Sequence, residues 1–115
     1  MTPASYDITI YEGAEYELTM LFEISDGVPV DLTGMVFSMK IRDELTSATS
    51  EDWSSYISHG STNGTITLAV PAAETIDWGY TTGVYDIEFL QTDGKIYKLM
   101  RGNVTIVEEV TRTDG

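Results

Sequence analysis

Apolar side chains recur at every second position along five stretches of the chain. These stretches centre on Ile8, Leu18, Met39, Leu68 and Ile87, and the residues between their apolar positions are mostly polar. Successive side chains of a β-strand point to opposite faces, so the alternation predicts strands with one buried and one exposed face. Burial of one face only is typical of antiparallel sheets.

Two further apolar runs follow near the end of the chain, at 96–100 and 104–110, with Arg101 and Gly102 between them. A glycine between such runs predicts a bulge or a tight bend. Counting both runs, the sequence predicts about seven strands.

Turn-forming pairs separate the predicted strands at 26–27, 63–64 and 93–94. Each pair is Asp-Gly or Asn-Gly, whose residue types tolerate the positive φ of tight hairpins. One segment, 71–79, has Pro71 at its start and Gly79 at its end, which is the pattern of a short helix. It predicts one or two helical turns that close one end of the fold.

The length of 115 residues predicts a single domain spanning 1–115, an all-β, Ig-like antiparallel β-sandwich of about seven strands with one short helical turn. A small closed barrel is the competing architecture. Residues 43–61 are expected to form a long polar loop, with a short strand around Tyr56 and Ile57 as the alternative. Residues 111–115 are expected to form a flexible tail.

The composition excludes more functions than it selects. The chain has no Cys and one His, which excludes disulfides, thiolate metal sites and paired-His metal centres. Its net charge of −13 disfavours contact with nucleic-acid phosphates. No apolar run has the length of a membrane-spanning helix. We therefore expect neither nucleic acid nor a membrane among its partners.

No local pattern selects catalytic, cofactor-binding or metal-binding residues. The 19 carboxylates mostly alternate with apolar residues, as the solvated faces of strands do. His59 is not accompanied by a nucleophile elbow, and the acidic residues of 43–52 lack the spacing of a calcium loop. The sequence therefore predicts a protein that is not an enzyme and has no cofactor; a weak divalent-ion site in the long loop is the alternative.

Four aromatic residues fall outside the alternating runs and are the candidate interface residues: Trp53, Tyr56, Trp78 and Tyr80. Aromatic side chains on loops are favoured anchors of protein interfaces. They are also suited to plugging the open end of a sandwich. Both hypotheses stay open for Trp53 and Tyr56, whereas end closure is favoured for Trp78.

The basic residues Lys95, Lys98 and Arg101 lie near one predicted hairpin of an otherwise acidic chain. An acidic face and a weakly basic edge predict head-to-tail or ring contacts between copies. The alternative is that the charge serves solubility alone.

The order of these elements resembles that of small domains of tailed bacteriophages, similar to the N-terminal domain of the phage baseplate upper protein. The likeness covers almost the whole chain except 43–61, where the family usually has a shorter loop. The matching segments are YDITIYEG at 6–13, DGVPVDLTG at 26–34, MKIR at 39–42, GTITL at 64–68, PAAET at 71–75, GVYDIE at 83–88, DGKIYKL at 93–99, GNVTI at 102–106 and VTR at 110–112.

The resemblance implies an Ig-like sandwich without catalytic residues that packs into a virion. The expected function is that of a structural component of the tail, baseplate or fibre-attachment region, which contacts other virion proteins and copies of itself. A head or neck decoration protein is one alternative. A carbohydrate-binding module, with weak contact to glycans of the host surface, is another. We expect the protein in the virion, after assembly in the cytoplasm of the host bacterium.

Overall fold

Two facing β-sheets enclose the hydrophobic side chains of this protein. The computed structural model describes residues 4–25, 27–44, 50–60, 63–76 and 78–108. The strands are β1 (Ala4–Ser5), β2 (Ile8–Tyr11), β3 (Tyr16–Leu21), β4 (Glu23–Ser25), β5 (Val28–Pro29), β6 (Val36–Arg42), β7 (Glu51–Asp52), β8 (Ile57–His59), β9 (Thr65–Val70), β10 (Thr82–Leu90) and β11 (Ile96–Val107). Two 3-10 turns, Ser54–Tyr56 and Ala72–Glu74, are the helical elements of the described residues.

The strand order is that of an Ig-like sandwich. The larger sheet has the order β1-β11-β10-β6-β7, with β2 also paired to β11, and the smaller sheet has the order β3-β9-β8. In immunoglobulin nomenclature these are the G-F-C-C′ and B-E-D arrangements. A hairpin of β4 and β5 lies between β3 and β6 in the chain. The predicted all-β sandwich is confirmed, since the described strands form separate sheets and not a closed barrel.

The core consists of the inward-facing side chains of both sheets. Along β6, β9 and β10 the buried residues alternate with exposed or half-buried ones, as the sequence pattern predicts. Their buried apolar side chains are Phe37, Met39, Ile41, Ile66, Leu68, Val70, Tyr85, Ile87 and Phe89. Burial of these side chains is the main favourable contribution to folding.

The N-terminal strands depart from the expected antiparallel arrangement. Both β1 and β2 pair with β11 in parallel, with Ala4 opposite Met100 and Ile8 opposite Val104. Between them the Tyr6 N–H donates to Arg101 O at 2.9 Å. The alternation of apolar residues indicated a strand here but carried no information on its direction.

Gly102 is not at a bulge, and the two predicted C-terminal runs, as far as their residues are described, join in one strand, β11. The bulge lies at Leu99, because Ile87 pairs with Met100 whereas Glu88 pairs with Lys98. Gly102 is needed for another reason: a Cβ on this residue would overlap the carbonyl group of Tyr6. A glycine lets the N-terminal strand approach β11 closely.

The described residues of the segment 43–61 form more regular structure than the predicted polar loop. Its described residues include β7, a 3-10 turn and β8, so the alternative of a short strand is the correct one. The Trp53 N–H donates to Met39 O at 3.0 Å, and Ser54 Oγ accepts from the Met39 N–H at 3.0 Å. These bonds hold a polar segment against β6.

The predicted helical turn in 71–79 is a 3-10 turn at Ala72–Glu74, begun by Pro71. Asp77 lies outside the described residues. So do residues 45–49 and 61–62 of the segment 43–61, and the predicted tail at 111–115.

We expect the protein to lose stability in alkaline solution because two of its tyrosines are buried wholly or in part. Burial raises the pKa of Tyr16 to about 12 and raises the pKa of Tyr85, whose hydroxyl donates to Tyr6 O. Above the ordinary tyrosine pKa the unfolded chain releases these protons first, so the free energy of unfolding falls as pH rises. The slope is at most about 1.4 kcal/mol per pH unit for each group.

Urea unfolding at pH values between about 9 and 12 tests this prediction. We expect a shallower decline for Tyr16→Phe than for the unaltered chain. The matched control is Tyr11→Phe, since Tyr11 is exposed, and it should leave the slope unchanged. A free energy of unfolding that stays constant above the ordinary tyrosine pKa would contradict the prediction.

Candidate interaction surface

The structure brings three of the four candidate aromatic residues into one chain of contacts at one end of the sandwich. Trp53 lies 5.9 Å from Trp78 in an edge-to-face arrangement, and Trp78 lies 5.6 Å from Tyr80 in the same way, measured between ring centroids. Tyr16 also contacts Trp53, with 6.1 Å between the ring centroids. Edge-to-face contacts of this kind stabilise aromatic clusters beyond their burial alone.

Trp53 is therefore a core residue and not a surface anchor. Only 1% of its surface is exposed. Of the two hypotheses for Trp53, interface anchor and end closure, the burial favours end closure. The indole N–H of Trp78 donates to Thr75 O at 2.8 Å, so this polar group already has a partner within the chain. Thr75 is itself buried, and its hydroxyl donates to Ala14 O at 2.7 Å. These contacts tie the loops of this end together.

Tyr56, Trp78 and Tyr80 are half-buried, and two carboxylates lie near each of the phenols. Partial burial raises the pKa of Tyr56, and the negative charge of the neighbouring Glu74 is the second cause. Partial burial also raises the pKa of Tyr80, and the negative charges of Glu51 and Asp43 are the smaller causes. The Tyr56 phenol donates a hydrogen bond to the Glu74 carboxylate, which is one of the causes of its raised pKa.

The outer face of the larger sheet arranges charged side chains in a row of alternating sign. Strand register places Asp52 beside Lys40, Lys40 beside Asp86, and Asp86 beside Arg101. Side chains directly opposite each other on neighbouring strands lie on the same face and interact. We call these four residues the charged row.

A second row lies one pleat away and consists of Ser38, Glu88 and Lys98. The Lys98 Nζ atom is 2.5 Å from Glu88 Oε2 and 3.2 Å from Asp86 Oδ2. These hydrogen bonds, the one to Glu88 most of all, raise the pKa of Lys98. Lys98 therefore links the second row to the charged row.

The predicted basic edge is thus a mixed face. Lys98 and Arg101 do not form a separate basic strip, because Asp86 and Glu88 lie among them and Lys40 joins them from β6. A shallow groove of about 670 Å³ runs across these rows. Four of the five described Lys and Arg side chains lie along it, in a chain of net charge −13.

The same face ends in an exposed apolar row. Val36 pairs with Leu90, and Leu90 pairs with Ile96. Their exposed fractions are 57%, 39% and 62%. Single exposed apolar residues are ordinary, but neighbouring ones on the outer face of a sheet indicate a contact surface. We call these three residues the apolar row.

Metal-ligating side chains are not clustered in the part of the chain that the structure describes. No group of three or more carboxylate or His side chains there is placed to hold a metal ion. The His59 ring is exposed, donates from Nδ1 to Gly60 O at 2.7 Å and packs against Phe37. Within the described ranges, no helix is long and apolar enough to cross a membrane.

The sequence indicated Lys98 and Arg101 of the outer face as a contact edge, but the apolar row was not predicted from it. One indication of the apolar row was present in the sequence. Leu90 is apolar, although the alternation along its strand directs this position outward. Its row with Val36 and Ile96 depends on the pairing of three strands, which a single sequence does not specify.

Comparison with known proteins adds no identification. No protein-family model matches the chain, and no curated protein matches it in sequence.

Proposed function

We propose that this protein is a structural component of a tailed-bacteriophage particle that acts through protein–protein contacts. The outer face of the larger sheet is its principal contact surface. The observation that carries this proposal is the apolar row, left exposed beside rows of alternating charge on a regular sheet. The segments that resemble baseplate domains direct the proposal to a virion.

The physical properties of this face suit assembly. Strands of a sandwich hold their side chains at fixed spacings. The contact surface is therefore rigid before binding, and little conformational entropy is lost when a partner docks. Apolar side chains supply affinity, and alternating charges select the partner and its orientation. Within the particle we place the protein in the tail, baseplate or fibre-attachment region; a head or neck position is the alternative.

A glycan-binding function has less support from the geometry. A sugar-stacking platform requires exposed aromatic faces, whereas Trp53 is buried and Trp78 contacts aromatic rings on two sides. Titration of Tyr80→Ala against host-surface glycans, with Tyr11→Phe as the control, tests this alternative. Equal binding by both variants would remove it.

Mass spectrometry of purified particles tests the proposed function. Particles produced by the genome that encodes this chain should contain it in a fixed ratio to a tail protein. Replacing Leu90, an exposed member of the apolar row, with Lys should reduce its incorporation. The matched control, Thr19→Lys, lies on the exposed face of β3 in the other sheet and should leave incorporation unchanged. Absence of the chain from every class of particle would overturn the proposal.

A further inference from the structure

The rows on the outer face of the larger sheet are complementary to themselves. Consider a two-fold axis that lies parallel to the strands, above the sheet and midway between β6 and β10. It exchanges β6 with β10 and β7 with β11, and it keeps each row at its own height along the strands. Each row then faces the same row of a second molecule.

We propose that a second copy of this chain docks on the outer face of the larger sheet about this axis. The inference rests on the proposed function and deepens it by naming one partner. It uses the register of four strands, β7, β6, β10 and β11, which fixes which side chains oppose each other.

Charge complementarity is the first argument. Across the axis, Lys40 faces Asp86 of the partner subunit, and Asp86 faces Lys40 of the partner subunit. Further from the axis, Asp52 faces Arg101 of the partner subunit, and the reverse contact follows by symmetry. Because the signs alternate along the charged row, each charge meets its opposite. Opposed charges fix register and orientation in an interface.

The apolar row is the second argument. The same axis places Val36 against Leu90 of the partner subunit. By symmetry Leu90 lies against the partner's Val36, so the dimer contains two such apolar contacts. In the second row, the Ser38 hydroxyl faces the partner's Glu88 and can donate to its carboxylate. Burial of Val36 and Leu90 gives favourable free energy without creating an unpaired charge.

The alternative two-fold axis, perpendicular to the strands, lacks this match. It reverses the order of the rows and brings the apolar row towards the row that contains Arg42, Val84 and Asn103. An arginine would then lie over apolar side chains. The parallel axis is therefore the orientation that the surface favours.

The size of the face sets the strength of the contact. The long strands β6, β10 and β11, with the two residues of β7 at their edge, present a face of roughly 20 Å by 20 Å, which is smaller than the surface of a standard stable interface. We expect a weak, reversible dimer that dissociates in high salt, because its charge pairs are partly exposed. In a particle, neighbouring attachment points would raise the effective concentration of the two copies.

A charge-exchange experiment tests the docking mode. In Lys40→Asp, two attractive contacts per dimer become repulsive, and Asp86→Lys does the same with the opposite sign. Each variant alone should dimerise at least about tenfold more weakly than the unaltered chain. An equimolar mixture should form heterodimers, because the two substituted side chains then face each other with opposite charges, as do the two unaltered ones. Native mass spectrometry distinguishes the heterodimer by mass, and sedimentation equilibrium gives the affinities.

Matched controls separate docking from folding. Thr19→Asp adds a negative charge to the outer face of the smaller sheet and should dimerise as the unaltered chain does. Circular dichroism melts should show that all variants fold. The inference is overturned if the unaltered chain is monomeric up to about 1 mM in low salt. It is also overturned if either single variant dimerises normally or if the mixture stays monomeric.

These outcomes are independent of the test of the proposed function. A chain that is monomeric in solution but present in purified particles overturns the two-fold docking and leaves the proposed function intact. A chain that forms the charge-specific dimer but is absent from particles overturns the proposed function and leaves the docking mode intact.

Discussion

Replacing Trp53 with alanine is expected to lower the free energy of unfolding by about 3–5 kcal/mol. The indole is fully enclosed by the sandwich and contacts the rings of Tyr16 and Trp78. Its removal leaves a cavity at the point where the segment 50–60 is fastened to β6. Urea or thermal unfolding, followed by circular dichroism, measures the loss.

Trp53→Phe is the matched control for this prediction. It keeps an aromatic ring in the cluster and removes the indole N–H, which is a buried polar atom without a hydrogen-bond partner among the described residues. Loss of an unpartnered polar group offsets part of the lost packing, so we expect a cost below about 2 kcal/mol. Equal destabilisation by Trp53→Ala and Trp53→Phe would show that the ring contacts do not matter.

Replacing Gly102 with alanine is expected to destabilise the protein by about 3 kcal/mol. An added Cβ would lie 2.7 Å from the carbonyl carbon of Tyr6 and closer still to its oxygen. The N-terminal strand would have to move away from β11, and this movement would weaken the hydrogen bond from the Tyr85 hydroxyl to Tyr6 O. Hydrogen exchange should therefore accelerate at the Tyr6 N–H, which bonds to Arg101 O.

Gly79→Ala is the control for this substitution. A Cβ on Gly79 meets no atom within 4 Å, and its backbone is not left-handed. This change should alter the free energy of unfolding by no more than about 0.5 kcal/mol. If Gly102→Ala were equally well tolerated, the N-terminal strand would not lie in close parallel contact with β11.

The strands of the core were predictable because one simple rule governs them. In β6, β9 and β10 each apolar residue of the alternating pattern is buried, from Phe37 to Phe89. The Asp93-Gly94 pair also forms the expected turn, where the Gln91 N–H donates to Lys95 O at 2.8 Å and Gly94 has a positive φ of 88°. Local pattern and local turn chemistry agree at these positions.

Strand direction and long-range pairing were not predictable by the same rule. The parallel pairing of the N-terminal strand depends on the contact between Gly102 and Tyr6, which lie almost a hundred residues apart in the sequence. The segment 43–61 looked like a loop because its residues are polar. One buried side chain, Trp53, and backbone bonds to Met39 determine its conformation instead.

The candidate surface was predictable only in part. The four aromatic residues were recognised as exceptional, but the structure uses Trp53 to close the end of the sandwich. The apolar row and the charged row exist only through cross-strand register, since Val36, Leu90 and Ile96 belong to three different strands. A single sequence gives the faces of strands and does not give their neighbours.

Cysteine labelling of intact particles tests the central claim most directly, because the chain contains no native cysteine. One variant carries Val36→Cys on the outer face of the larger sheet, and the other carries Thr19→Cys on the outer face of the smaller sheet. In dilute free protein, both thiols should react readily with a maleimide. In particles, the account predicts that the thiol at position 36 is protected while the thiol at position 19 stays reactive. Equal reactivity of position 36 in the free and assembled protein would contradict it.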